Sequence, residues 1–379
     1  LYILKFIFMN VKKIHWLGVG LSSPPGILYL SNKGYKLEVW NRTPEKASRL
    51  LSNKIKVRKL DLNDLRNELN TNDLIVSMLP ASNHIEIAKI AVQKKCHLLT
   101  SSYYDVKYEE FHNQFIENKN IFMCETGLDP GMDHLLAHKI INDFKIDSRN
   151  KIVSSIKFKS MCGGFPLISN EFKYKFSWSP IGVLKALNTP AKYIKDFKKE
   201  TSPQPYQATS KIDFLDEEFE IYPNRNSFPY LKEYKLNEYD SVIESFERGT
   251  IRLKGWTKAW EQIFKKIDEN SDFEELSSEL WEKNQYSINE RDRVLLYVSL
   301  IAKDQNQKII FDKTMYIDES RNIQNSSMAQ CVSYTVASTI ERIMNTDLLI
   351  GIHRIFHDNE NVSSILNNLE ELGISIKEL

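Results

Sequence analysis

Short apolar runs alternate with amphipathic stretches from Lys13 to Glu125: Ile14 to Leu17, Leu37 to Trp40, Ile55 to Val57, Leu74 to Leu79, His97 to Thr100 and Ile121 to Cys124. Runs of this length, separated by segments of helical period, predict strand and helix units joined by right-handed crossovers into a doubly wound α/β domain with a parallel sheet. After Glu125 the period changes. Lys151 to Met161 alternates in steps of two, and Tyr174 to Trp178, Gln207 to Phe214 and Gly249 to Lys254 follow, as half-buried strands of a mixed sheet do. Trp260, Ile263, Phe264, Ile267, Phe273, Leu276, Leu280 and Trp281 then fall at helical spacing and predict a small helical insertion. Strands return at Arg293 to Ala302 and Gln307 to Asp318. A helix rich in small residues is expected from Ser327 to Met344, and an amphipathic one from Val362 to Leu372.

Composition narrows the partners more than the fold. A chain of 379 residues exceeds one comfortable core and suggests two or three domains. Lys and Arg number 51 against 50 Asp and Glu, so no global field favours nucleic acid or an anionic membrane. Cys96, Cys124, Cys162 and Cys331 lack paired spacing, which argues against zinc or a disulfide framework and fits a reducing, cytoplasmic setting. The opening LYILKFIF is too short for a membrane span and lacks a cleavage pattern; a start at Met9 is expected, with residues 1–8 outside the function.

Candidate chemistry sits where apolar runs end. Gly18-Val-Gly20 follows the first run, and the turn reaches Pro25, suited to the first turn of a helix. Two glycines allow close approach of backbone to a pyrophosphate, which a helix N-terminus stabilises; the third glycine of the usual fingerprint is replaced by Ser23. The next run ends in Asn41-Arg42-Thr43, where NAD-binding domains carry an acid for the ribose hydroxyl. An arginine there pairs with a 2′-phosphate, so NADP is expected over NAD. Ser101-Ser102-Tyr103 closes the fifth run. Asp129, in Glu125-Thr-Gly-Leu-Asp-Pro-Gly-Met-Asp-His134, follows the sixth, and reads either as a site acid or as a cap on a helix starting near Met132. His84, His134 and His138 are alternatives for proton transfer. No metal is expected, since His134 and His138 lie one helical turn apart without a third ligand.

With those motifs the chain resembles the saccharopine dehydrogenases of the glutamate-forming type, also called saccharopine reductases. The further carriers, in order, are Gly127-Leu-Asp-Pro-Gly131, Cys162-Gly-Gly164, Lys175-Phe-Ser-Trp-Ser-Pro180, Tyr222-Pro-Asn-Arg225, Arg248-Gly-Thr-Ile-Arg252 and Glu290-Arg-Asp-Arg293. The resemblance implies a Rossmann-type NADP-binding domain over residues 9–125, rejoined by about 345–379. It also implies an α/β substrate domain over 126–255 and 287–344, with a helical insertion at 256–286. It implies that Gly18, Gly20, Leu21 and Ser22 hold the pyrophosphate, that Asn41, Arg42 and Thr43 hold the adenosine ribose and its phosphate, and that Asp61 and Leu62 border the adenine. Ser101, Leu128, Pro130 and Ser177 would line the nicotinamide end, with Ser102 bordering both ligands. Tyr103, Asp129, Arg225, Thr250, Ile251 and Arg252 would contact saccharopine.

The substrate's three carboxylates call for forked cations, which Arg225 and Arg252 supply, and its amines for an acid, which Asp129 supplies. The activity implied is reversible NADP-dependent oxidation of saccharopine to L-glutamate and 2-aminoadipate 6-semialdehyde in lysine metabolism, by a homodimer or a single chain. Two alternatives stay open: a related amine or imine oxidoreductase similar to carboxynorspermidine synthase, and a catalytically silent NADP-binding regulator.

Overall fold

The computed structural model describes residues 7–8, 11–269, 271–345, 347–348 and 350–379; the expected start at Met9 lies outside them. The chain divides into two compact units, Leu1–Leu135 with Ala329–Gly373, and Leu136–Met328 with Ile374–Leu379. The expected boundaries stood at 125 and about 345.

The first unit is built on a seven-stranded parallel sheet. In spatial order its strands are Gly351–His353, Ile121–Met123, His97–Thr100, Leu74–Ser77, Ile14–Leu17, Leu37–Asn41 and Val57–Lys59. The three central strands are buried at every position, as a sheet covered on both faces requires, and for that reason they read as continuous apolar runs. Trp40, Phe115, Phe122 and Leu98 fill one layer of the core with helix residues Ile87, Ile90 and Ala91. From Ile14–Leu17 the chain winds outward to Val57–Lys59, then returns to wind the other way. The carboxyl ends of Ile14–Leu17 and Leu74–Ser77 therefore flank the point where strand order reverses, the usual ligand crevice of such sheets. The C-terminal strand Gly351–His353 adds the last position, with the Gly351 N–H bonded to the Asn120 carbonyl at 2.9 Å.

The second unit carries a mixed sheet. Its order is Lys198–Ser202, Ala191–Lys195, Ile243–Leu253, Ser155–Pro166, Arg291–Lys303, Ile309–Asn322 and Ile376–Glu378, and the hairpin of Ser210–Phe214 and Glu217–Pro223 also joins Ile243–Leu253. Ile243–Leu253 runs parallel to Ser155–Pro166; the other strand pairs named here are antiparallel.

Tyr174 to Trp178, expected as a strand, is irregular. Its alternating aromatics are buried without a ladder: Tyr174 and Phe176 pack with Trp256, Phe264, Leu276 and Leu280 of the helices Trp256–Ala259, Glu261–Asp268 and Phe273–Lys283, and with Trp260 between the first two. The expected insertion is helical and shares this aromatic core with helix Pro180–Leu187. Among the described residues no helix is long and apolar enough to cross a membrane.

Candidate functional site

Strand Ile14–Leu17 ends at Gly18, whose φ of +91° and whose virtual Cβ, 2.9 Å from the Met78 carbonyl oxygen, both exclude a side chain. At Gly20 a Cβ would meet nothing within 4 Å, so this part of the turn faces open space. The Val19 N–H is held by Asn41 Oδ1 at 3.0 Å, and Ser23 donates its hydroxyl to the Gly18 carbonyl at 3.2 Å. Among the described residues the N–H groups of Gly20, Leu21 and Ser22 are given to no acceptor. Three such donors ahead of the nine-residue helix Pro24–Asn32 fit a pyrophosphate. The close-packing glycine missing at Ser23 is supplied three residues later: a Cβ on Gly26 would lie 2.4 Å from the Ser333 carbonyl oxygen, and its N–H donates to Ser333 Oγ at 2.9 Å.

Asn41 ties strand Leu37–Asn41 to this turn, and its amide donates to the Thr43 carbonyl at 3.0 Å. Arg42 is exposed and, among the described residues, has no carboxylate within ion-pair distance, so its fork is available to a phosphate. Asp61 is already engaged. Its Oδ1 accepts from Asn63 N–H at 2.8 Å and Asp64 N–H at 3.1 Å, capping helix Leu62–Glu68, and Leu62 leans on the sheet's core.

Two loops at the same sheet edge are stitched together. Glu125 N–H donates to the Ser102 carbonyl at 3.0 Å and Thr126 N–H to that of Thr100 at 3.3 Å. Strand Ile121–Met123 ends six residues before Asp129, which therefore sits in a tight loop closed by Gly127 and Gly131. There Asp129 Oδ1 accepts the Tyr103 hydroxyl at 2.7 Å. At the head of helix Met132–Asp147, Asp133 Oδ1 accepts the Gly131 N–H at 2.7 Å. Asp129 is half-buried, beside the buried Leu128 and Pro130 and opposite the half-buried Ser101 and Ser102.

The deeply buried acid is Glu125, at 0 % exposure. Burial by itself pushes its carboxyl up, but His134 Nε2 at 3.1 Å, Arg354 Nε at 3.3 Å and the Tyr104 N–H at 2.9 Å outweigh that and hold it down at about 2. Arg354 lies over the Tyr104 ring, 4.6 Å from its centroid. His134 thus belongs to the polar cluster around Glu125, which also holds the Tyr104 N–H. His84 is fully buried, and burial pushes its imidazole down to about 4. His138 packs edge-on against Tyr234. Among the described residues no three His, Cys, Asp or Glu side chains gather as for a metal ion.

In the second unit, Thr250 and Arg252 share one face of strand Ile243–Leu253 with the register partners Cys162, Tyr222 and Glu220. Ile251 points the other way, into the core with Met161, Phe165 and Leu295. By period two, only the Ile251 backbone borders the face of Thr250 and Arg252.

Arg252 is 5 % exposed and ringed by aromatics, its guanidinium 4.9 Å from the Tyr174 ring centroid and 5.4 Å from those of Tyr222 and Trp256. It donates to the Ile251 carbonyl at 3.1 Å, and among the described residues its Nε has no acceptor. Glu220, its neighbour across the ladder, is engaged by Gly255 N–H at 2.8 Å, Thr257 N–H at 2.7 Å and the Thr257 hydroxyl at 2.6 Å. Among the described residues Arg252 consequently has no carboxylate partner. Arg225 stands half-exposed at φ +58° in the loop after Glu217–Pro223, which is pinned by Lys192 N–H on its carbonyl at 2.8 Å. Ser177 is buried beside Gly164.

Residues 14–123 match the family model described as the saccharopine dehydrogenase NADP binding domain, and residues 127–374 that of the saccharopine dehydrogenase C-terminal domain. A Pyricularia oryzae protein named saccharopine dehydrogenase (NADP(+), L-glutamate-forming) is 35% identical over 260 residues, 65% of this chain and 56% of that one. The Saccharomyces cerevisiae protein of the same name is 36% identical over 256 residues, again 65% and 56%. The chain thus spans little more than half the length of these relatives. A solved structure of apo histidine-tagged saccharopine dehydrogenase (L-Glu forming) from Saccharomyces cerevisiae matches with a TM-score of 0.80 at 26% identity, over 97% of this chain and 100% of that one.

Proposed function

This chain belongs to the saccharopine dehydrogenase family, and from that premise we propose that it is an NADP-dependent, L-glutamate-forming saccharopine dehydrogenase. Saccharopine, NADP+ and water give L-glutamate, 2-aminoadipate 6-semialdehyde, NADPH and a proton, reversibly. The observation that carries the reading is Arg252: a buried guanidinium with no carboxylate partner among the described residues requires an anionic ligand, and saccharopine brings three carboxylates.

Bound NADP supplies the hydride acceptor. The chain's own residues orient the substrate and handle protons. Arg252 and Arg225 hold carboxylates, fixing which carbon beside the bridging amine is presented. Asp129 takes the amine, its carboxylate aimed by the Tyr103 hydroxyl. Loss of hydride from that carbon and of the amine proton leaves a C=N bond, which water adds to and splits. The aromatic surround of Arg252 keeps bulk water from competing for its donors. The four cysteines are buried, which supports the cytoplasmic setting that forms part of this reading. A homodimer is the candidate assembly, to be measured by light scattering.

The test is NADPH formation, followed by absorbance, from saccharopine with NADP and separately with NAD. Turnover with NADP is expected; none with either cofactor overturns the proposal. Asp129→Asn keeps the shape and removes the charge, and is expected to lower kcat by about 100-fold or more if the aspartate handles the proton. Near-normal oxidation would return Asp129 to a structural part.

A further inference from the structure

His84 heads helix His84–Lys94, and its ring bridges the ends of two neighbouring strands. On one side Nδ1 lies 3.0 Å from Ser77 Oγ, at the end of strand Leu74–Ser77. On the other, Nε2 lies 3.0 Å from Thr100 Oγ1, at the end of strand His97–Thr100, and 2.8 Å from Ser102 Oγ, just beyond it. His84, Ser77 and Thr100 are buried, while Ser102 is half-buried and marks where this chain of hydroxyls reaches the surface of the sheet edge.

Each bond constrains the same residue. The Ser102 backbone N–H donates to Thr100 Oγ1 at 3.2 Å, and its carbonyl accepts the Glu125 N–H at 3.0 Å. A serine hydroxyl left to itself rotates among three staggered wells. With Nε2 at 2.8 Å it is confined to one. Neutral imidazole supplies one donor and one acceptor on opposite edges of a rigid ring, which suits a bridge between two strand ends; protonation would remove the acceptor and leave hydroxyl protons without a destination. Burial favours the neutral ring.

His97, at the opposite end of strand His97–Thr100, shows what a purely structural histidine looks like. It is buried too, but its Nδ1 accepts the Ile121 N–H at 3.2 Å, and among the described residues its Nε2 has no hydrogen-bond partner.

We propose that His84 is a positioning residue: it touches neither cofactor nor substrate and acts by holding the Ser102 hydroxyl in one orientation toward the ligands bound at this edge. The inference rests on the reading of that edge given above, in which Ser102 borders nicotinamide and saccharopine.

The test is a double-mutant cycle with two conservative variants, read as kcat, KM and NADPH affinity by fluorescence. Ser102→Ala and His84→Phe are each expected to lower kcat/KM for saccharopine roughly 10- to 30-fold, an effect typical of misaligned groups. The double variant should be no worse than Ser102→Ala alone. His84→Gln sets an amide where Nε2 stood and should restore activity to within about threefold, whereas His84→Asn, which reaches only the Nδ1 position, should not.

Multiplicative effects in the double variant, or rescue by Asn equal to that by Gln, would make the ring a core filler and overturn the inference. Should His84→Phe not fold, the Gln-over-Asn order decides: present with Ser102 and abolished by Ser102→Ala, or the inference falls. If the wild-type chain does not oxidise saccharopine, the functional reading fails by itself. The same order is then read in NADPH affinity, where equal values for Gln and Asn overturn the positioning role.

Discussion

Two buried charges sit in this molecule under opposite terms. Glu125, in the first unit, is surrounded by His134, Arg354 and a backbone N–H, so its charge is answered from within. Arg252, in the second, lies among three aromatic rings while the adjacent Glu220 is held by Gly255 and Thr257. Removing a charge from water costs several kcal/mol, so each burial needs compensation. In the first case it comes from the fold; in the second the rings' quadrupoles and one carbonyl offset part, and in the proposed function an anionic ligand completes it. A buried charge answered internally marks structure, and one left for a ligand marks function.

The largest expected effect tests the second half of that contrast. Arg252→Met replaces a buried cation by an apolar chain of similar length. The substitution is expected to cut kcat/KM for saccharopine by about 100- to 1000-fold, mostly through KM, and to leave NADPH affinity unchanged. Melting temperature should hold or rise, because a charge without a carboxylate partner has been removed. A fall of several degrees with KM unaltered would place Arg252 with Glu125 as a structural ion.

Glu125→Gln tests the first half and should behave in the opposite way. The Glu125 carboxyl is held at about 2, below its ordinary 4.5, so the native state favours the ionised form. The stability this contributes is fully present above about pH 4.5 and is lost as pH falls toward 2. The difference corresponds to roughly 3 kcal/mol. Urea denaturation at pH 7 should show a loss of that order in the variant, and the gap between wild type and variant should narrow between pH 4.5 and 3. A constant gap over that range would mean the carboxylate is not the source of the stability.

What could be read from sequence divides along the same line. The glycine turn, the central strands and helix Ser327–Met344 were legible because local rules govern them: φ at Gly18, continuous apolar runs in a covered sheet, small residues at a close helix contact. The forked cations were legible as residue types. Their surroundings were not. No spacing rule links Glu125 to Arg354 or His84 to Ser77 and Ser102, because those meetings are made by the sheet order. Tyr174 to Trp178 alternates like a strand, yet its aromatics answer to Trp256 and Trp260. Edge strand Lys198–Ser202 and its neighbour Ala191–Lys195 are illegible because lysines and exposed polar positions, which protect a sheet edge, also erase the apolar pattern.

Arg42 is the third kind of charge, exposed and without a carboxylate partner among the described residues, and it should produce the smallest effect. Water already solvates it, so its removal leaves the fold unchanged and costs only what the ligand gains by displacing that water. A 2′-phosphate gains charge-assisted hydrogen bonds from the guanidinium, whereas the ribose hydroxyl of NAD gains almost nothing. Arg42→Ala is therefore expected to weaken NADPH binding roughly 10- to 50-fold and NADH binding less than twofold, with the melting temperature unmoved. The loss for NADPH should shrink as salt is raised, since an exposed pair is screened and the Arg252 pair, enclosed by rings, is not. Equal losses for the two cofactors would remove Arg42 from the phosphate site. A loss for NADPH that persists at high salt would mean the arginine becomes enclosed when the cofactor binds.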